Sequence, residues 1–158
     1  MGYNTEFKGQ FEFNRKLTDK EKEAMKILHE TRHTPHYEGK PSIWLQWVVE
    51  SYKEVDYLAW DGGEKFYEYV DWLEYLIVYF FKPNKLSISG KVRWCGDDLE
   101  DSGVIEITDN DIELLELMPR PKELDTLIKH LYEYLDENDD REDLRDILIK
   151  LQNHENRI

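Results

Sequence analysis

Cysteine is almost absent from this sequence. Cys95 stands alone among 158 residues, which excludes an intramolecular disulfide framework and fits a chain that folds in a reducing compartment on packing alone. Within a strand pattern, a lone cysteine reads as a packing residue rather than a nucleophile. Long apolar runs are missing as well. The longest, Tyr75 to Phe81, has seven residues, where a membrane-spanning helix needs about 20. No basic, apolar leader is legible at the start, so no membrane association is expected and the bacterial cytoplasm is the expected compartment. Basic residues are also scarce: 21 Lys and Arg against 35 Asp and Glu leave a net charge of −14. Such a field opposes direct binding to DNA, RNA or an anionic membrane and favours basic partners. Glycine patterns of the P-loop and Rossmann kinds are absent, and no Ser, His and Asp set is recognisable by spacing.

What is present is enough for a core. With 40% hydrophobic and 13% aromatic residues, a chain of this length is expected to build one domain of ordinary size. The strongest periodic stretch follows Trp60-Asp61-Gly62-Gly63-Glu64-Lys65. Phe66, Tyr69, Val70, Leu73, Leu76, Ile77 and Phe80 fall on one helical stripe, flanked by Tyr67, Trp72, Tyr75 and Tyr79. The pattern predicts a helix over 66–81 that Asp61 and Glu64 cap at the front and Lys82-Pro83-Asn84 stops at the back.

Before this helix, Thr5, Phe7, Phe11 and Phe13 alternate with polar residues and predict a strand interrupted by Gly9. Thr18 and Glu21 form a capping-box pair for a helix over 19–32, with Ala24, Met25, Ile27, Leu28 and Thr31 towards the core and Thr34-Pro35 at its end. After a polar loop over 35–42, residues 43–49 and 55–60 read as a hairpin. Beyond the aromatic helix, residues 86–95 alternate as a strand kinked at Gly90. An acidic loop, 96–103, leads to a strand over 104–108, and Asp109-Asn110 turns it into another over 112–117. The order predicts an α+β fold of the ferredoxin-like split βαβ kind (βαββαβ) with an extra β-hairpin over residues 1–118. Pro119-Arg120-Pro121 marks a boundary. Residues 119–158 read as a C-terminal helical hairpin, packed on the open sheet face or on a partner.

Several of these segments together resemble a family of small, uncharacterised phage and bacterial proteins. They are Gly2-Tyr3-Asn4-Thr5, Glu30-Thr31-Arg32, Pro41-Ser42-Ile43-Trp44-Leu45-Gln46-Trp47, Trp60 to Tyr67, Trp72 to Ile77, Ser89 to Trp94, Gly96-Asp97-Asp98 and Asp109-Asn110. The resemblance covers about 1–112. It implies a phage context, and with it host takeover or counter-defence, but no mechanism. The segment before Pro41 is shorter than in relatives, and Leu45 stands where many carry Cys. The C-terminal hairpin lies outside the shared pattern.

The candidate sites follow from charge and from short motifs. Residues 96–116 hold nine acids and no Lys or Arg, and residues 136–146 hold seven acids. A surface that imitates the phosphates of nucleic acid is expected to use Asp97, Asp98, Glu100, Asp101 and Asp109, then Glu137, Asp139, Asp140, Glu142 and Asp143. The expected partner is the basic surface of a nucleic-acid-binding host or defence protein, met through protein–protein contact and without catalysis. No cofactor is expected, and oligomeric state is not legible.

The enzyme alternative has two anchors. His29-Glu30-Thr31-Arg32-His33 matches the H-E-x-x-H zinc pattern, with His29 and His33 as ligands and Glu30 to activate water. No third ligand stands at the extended spacing. Asp61, Gly62, Gly63 and Lys65 could instead hold a phosphate at a helix start. The acids at 97–101 lack the glycine and the distant Glu of an EF-hand loop, and 136–147 fails that pattern too.

Overall fold

The computed structural model describes residues 3–98, 101–116 and 122–137. The chain divides into two compact units, Met1–Leu117 and Met118–Ile158. The first is an α+β unit with a six-stranded sheet in the order β2-β3-β1-β4-β5-β6. Its strands are β1 (Thr5–Phe13), β2 (Trp47–Tyr52), β3 (Val55–Trp60), β4 (Ile88–Gly96), β5 (Ser102–Thr108) and β6 (Asp111–Glu116). Every neighbouring pair is antiparallel. The helices of this unit are α1 (Asp19–Glu30), the short α2 (Pro35–Glu38) and α3 (Tyr69–Leu76). In the second unit α4 spans Lys122–Glu137. The expected second helix of the C-terminal hairpin lies outside the described residues.

Alternation decides which face of β1 is inside. Thr5, Phe7, Phe11 and Phe13 are buried, while Glu6, Lys8, Gln10 and Glu12 are exposed. In register with them, Val92 pairs with Gly9 and Ile88 with Phe13. Phe7 is the hub of the aromatic core, meeting Trp47, Trp60, Phe66 and Tyr69 edge-on with ring centroids 4.8–5.8 Å apart. Such edge-to-face contacts add to area burial because ring edges are positive and ring faces negative. Gly9 has φ +111 and Gly90 has φ +149. A Cβ on Gly9 would lie 2.4 Å from the Lys91 carbonyl oxygen, and one on Gly90 would lie 2.6 Å from that of Gln10. The two central strands approach so closely only because both positions lack a side chain.

Helix α1 starts as its sequence predicts: Thr18 Oγ1 accepts from Glu21 N, and the Glu21 carboxylate accepts from Thr18 N. It ends at Glu30, earlier than the expected Arg32. Met25 is buried and Leu28 half-buried, but Ala24 and Ile27, also expected in the core, are exposed. Within the expected polar loop, Pro35 opens the single turn of α2, its missing N–H being one that a helix start leaves unpaired anyway. Strand β2 is displaced towards the C-terminus of its predicted range. Residues 43–46 precede it, and the turn narrows to Lys53-Glu54.

The largest correction concerns the aromatic helix. It begins at Tyr69, because Lys65 (φ 59) and Glu68 (φ 53) take left-handed conformations that a helix cannot contain. Phe66 is buried as a plug from the preceding loop, so its apparent helical phase with Tyr69 comes from packing. Beyond Leu76 the helix widens into a π-turn over Ile77–Phe81, with Lys82 N donating to the Ile77 carbonyl, just before Pro83. That wider turn shifts the phase. Phe81 is sealed in the core and Phe80, expected there, is half-buried. Trp72, expected to flank the stripe, is fully buried and donates from Nε1 to Ser42 Oγ at 2.8 Å.

Candidate functional site

The acid-rich connection between β4 and β5 is tied to the N-terminal segment. Asn4 N donates to Asp97 Oδ2 at 2.8 Å, and the Tyr3 hydroxyl donates to Asp101 Oδ2. The backbone closes the loop: Gly96 N donates to the Asp101 carbonyl at 2.8 Å and Asp101 N to that of Asp98 at 2.9 Å. Asp97, Asp98 and Asp101 are exposed. Their charge acts on neighbouring phenols. The Asp101 hydrogen bond raises the Tyr3 phenol above its ordinary value of 10.0. Tyr69 is pushed up to about 12, first by burial and then by Asp101 and Tyr3.

The expected acid set is not one patch. Asp109 lies in the turn between β5 and β6, where its N–H donates to Ser89 Oγ at 2.8 Å. Strand β5 separates it from Asp101, a span of roughly 20 Å at the ordinary rise of a strand. Asp109 and Asn110 have φ 48 and 70, the two positive values of a type I′ hairpin turn. Asn110 also accepts from Ile88 N and donates to the Leu86 carbonyl, so this turn locks a strand end. Glu137 is the last residue of α4. Glu100, Asp139, Asp140, Glu142 and Asp143 lie outside the described residues.

The Asp61 to Lys65 segment is a loop, not a helix start. Asp61 Oδ1 accepts from Gly63 N at 2.7 Å, a local turn of the Asx kind, and its Oδ2 lies 2.8 Å from His29 Nε2. Gln46 fastens the loop from behind: its Nε2 donates to the Glu64 carbonyl, its Oε1 accepts from Trp60 Nε1, and its carbonyl accepts from Asp61 N. Gly62 has φ +81. With the helix start displaced to Tyr69, the array of free N–H groups proposed to hold a phosphate at Asp61, Gly62, Gly63 and Lys65 is not there. The Asp61 carboxylate is divided between Gly63 N in the loop and His29 on α1.

The zinc pattern is also taken apart. His29 lies in the last turn of α1, but His33 lies beyond the helix end, buried against Trp72 with ring centroids 5.4 Å apart. His33 Nε2 is 2.8 Å from the Leu28 carbonyl and its Nδ1 is 3.3 Å from Glu38 Oε2. A metal needs a free lone pair on each imidazole, and both His33 nitrogens face acceptors. Among the described residues, no group of three or more His, Cys, Asp or Glu is placed to hold a metal ion.

Comparison of the chain with protein-family models, with curated proteins and with solved structures finds no match. No helix among the described residues is long and apolar enough to cross a membrane.

Two polar groupings escape a reading by motif. Asp56 is buried and accepts from Leu17 N at 2.8 Å, from Lys22 Nζ at 3.0 Å and from Ser51 Oγ. Burial pushes its carboxyl up, but the bonds from Ser51, Leu17 and Lys22 outweigh that and leave it below its ordinary value. This is a structural tie, since both carboxylate oxygens are engaged by groups of the fold. The other is Glu68, whose carboxyl is raised by a hydrogen bond to Asp71 and by that residue's charge. The spacing of three residues was in the sequence, but it reads as an ordinary solvated face until the helix start is placed between them.

Proposed function

We propose that this chain is a non-enzymatic binding protein that docks an acidic surface on a basic face of a protein partner. The observation that carries the reading is the charge, −14 over 158 residues, with Asp97, Asp98 and Asp101 exposed on a loop that Tyr3 and Asn4 hold in place. Carboxylates held as those of Asp97 and Asp101 are lose little conformational freedom on binding, so they act as a preorganised template. The mechanism is electrostatic steering to a basic groove followed by exclusion of the nucleic acid that normally fills it. The phage resemblance supports a nucleic-acid-handling host or defence enzyme as the partner, and the bacterial cytoplasm as the place of action. The order β2-β3-β1-β4, with each neighbour antiparallel, supports placing the first unit with ferredoxin-like split βαβ domains, extended by β5 and β6.

The test is capture of partners from bacterial lysate by the purified chain at low and at raised salt. One basic protein retained near stoichiometry, released by salt and lost with Asp97→Lys, Asp98→Lys and Asp101→Lys together, is the expected outcome. Thermal unfolding of the triple variant checks that the fold survives. Retention unchanged by the three substitutions overturns this loop as the docking surface.

A further inference from the structure

The two edges of the sheet are not alike. At one, β2 has α1 for a neighbour, with Lys22 Nζ donating to Ser51 Oγ at 2.9 Å. At the other, β6 pairs with β5 on one side and with no described strand on the other. Its register is unbroken from Asp111 to Glu116, without a bulge or a proline. The Asp109-Asn110 turn fixes which backbone groups are left over. In a two-residue hairpin the residues flanking the turn, here Thr108 and Asp111, exchange hydrogen bonds, and the next pair does not. The N–H and C=O groups of Ile112 and Leu114 therefore point away from β5, and among the described residues they have no partner. Edges are commonly blunted by lysine, proline or a bulge. Strand β6 carries acids instead, which repel an acidic chain and admit a basic one.

The charges across the sheet say which residues of such a chain would meet them. On the open face a cross-strand row runs Gln10, Lys91, Glu106, Glu113. Lys91 Nζ lies 3.1 Å from Glu106 Oε2, so that cation is used within the sheet. Glu113 stands directly opposite Glu106, is exposed and forms no ion pair with a described residue. Like charges so placed disfavour each other. The next position in the row, on a strand beyond β6, is where a cation relieves them. On the other face Ile112 packs against the core, and Leu114 beside it is 56% exposed. A second copy of this chain fits poorly, because antiparallel pairing of β6 with itself about Glu113 sets that carboxylate against its own counterpart.

We propose that β6 takes up an extended segment of a protein partner as a further strand, its basic residues in line with Glu113 and its alternate apolar residues against Leu114. The inference rests on the reading of the chain as a binder of basic protein surfaces. It adds a second contact to the loop at 97–101, made through backbone hydrogen bonds as well as charge.

The test titrates the full chain at fixed ionic strength with three short peptides: alternating Val and Lys, alternating Val and Glu, and the Val and Lys sequence N-methylated at its Val residues, which face Ile112 and Leu114. Methylation keeps the charge and removes the donors that strand addition needs. The expected result is binding of the first peptide, with amide exchange at Ile112 and Leu114 slowed, and about tenfold weaker binding of each of the others. Leu114→Pro removes one outward N–H without breaking the ladder to β5 and is expected to weaken the first peptide about tenfold, more than Leu114→Ala does. Should Leu114→Pro misfold, the methylated peptide on the native chain carries the test. Equal binding of the methylated peptide, or exchange unchanged at Ile112 and Leu114, overturns strand addition. Equal binding of the Val and Glu peptide overturns the choice of a basic segment. The acidic-binder reading is judged separately, since it falls only if the native chain retains no basic protein from lysate.

Discussion

The Asp56 carboxylate, withdrawn from solvent on β3, lies 3.0 Å from the Lys22 ammonium on α1. It also holds Leu17 N and Ser51 Oγ, so one side chain fastens the chain before α1, the helix itself and the β2–β3 hairpin. Asp56→Ala leaves the Lys22 ammonium with Ser51 Oγ but no carboxylate, and the Leu17 N–H without an acceptor. The expected loss is about 3–5 kcal/mol of folding stability, read by urea unfolding. A loss below about 1 kcal/mol would show that the tie does not hold these elements together.

Gly90 and Gly62 make a contrast. Both have positive φ, but a Cβ at Gly62 meets nothing within 4 Å, whereas one at Gly90 would run into the Gln10 carbonyl at 2.6 Å. Gly62→Ala is expected to cost about 1 kcal/mol, the backbone strain alone, and Gly90→Ala roughly 3 kcal/mol because β1 and β4 must also separate. Thermal unfolding of both variants checks the ranking. Equal costs would mean that the strands can part freely.

Acid stability has a defined sign. The two-pronged contact with Arg15, at 2.7 and 3.0 Å, holds the Glu21 carboxyl down from its ordinary 4.5 to about 2, with the Thr18 cap adding to it. A carboxylate lowered in the folded state stabilises above its unfolded value, and that stability fades as pH falls from about 4.5 to about 2. Arg15 is 38% exposed, so screening limits the contribution to about 1 kcal/mol. Glu21→Gln is expected to unfold more easily at neutral pH and to lose less stability on acidification through that window. A native and a variant curve that run parallel there would contradict it.

Phenol titration reads the acid loop directly. Tyr69 is expected to ionise near pH 12, and Tyr3 above its ordinary range because it donates to Asp101. Asp101→Asn removes the charge and should bring Tyr3 down markedly, while Tyr69, held up first by burial, moves less. Ultraviolet absorbance after a rapid rise in pH follows both. An unmoved Tyr3 would mean that the N-terminal segment does not rest on this loop in solution.

Which parts of this molecule could be read ahead of its structure depended on how far their causes reach along the chain. The Thr18 and Glu21 capping box, the buried alternation of β1, the span 55–60 of β3 and the Asp109-Asn110 turn all have causes within a few residues, and each is found as expected. The start of the aromatic helix was misplaced for the opposite reason. Asp61 had the chemistry of a cap, yet Gln46 and His29, from elsewhere in the chain, hold it in a loop. For the acids, composition predicted exposure and the strand expected over 104–108 already set Asp109 apart from Asp101, but only the placement of Tyr69 made Glu68 and Asp71 a facing pair.

The sequence by itself determined the strand alternation, the helix cap, the hairpin turn and the acidic field, because periodicity, capping and net charge are local or additive properties. The tertiary structure alone decided the phase slip that buries Phe81 in place of Phe80, the burial of Asp56 and the commitments of His29 and His33 to separate partners. Each of those depends on which distant residue arrives opposite, and packing geometry, not spacing along the chain, sets that.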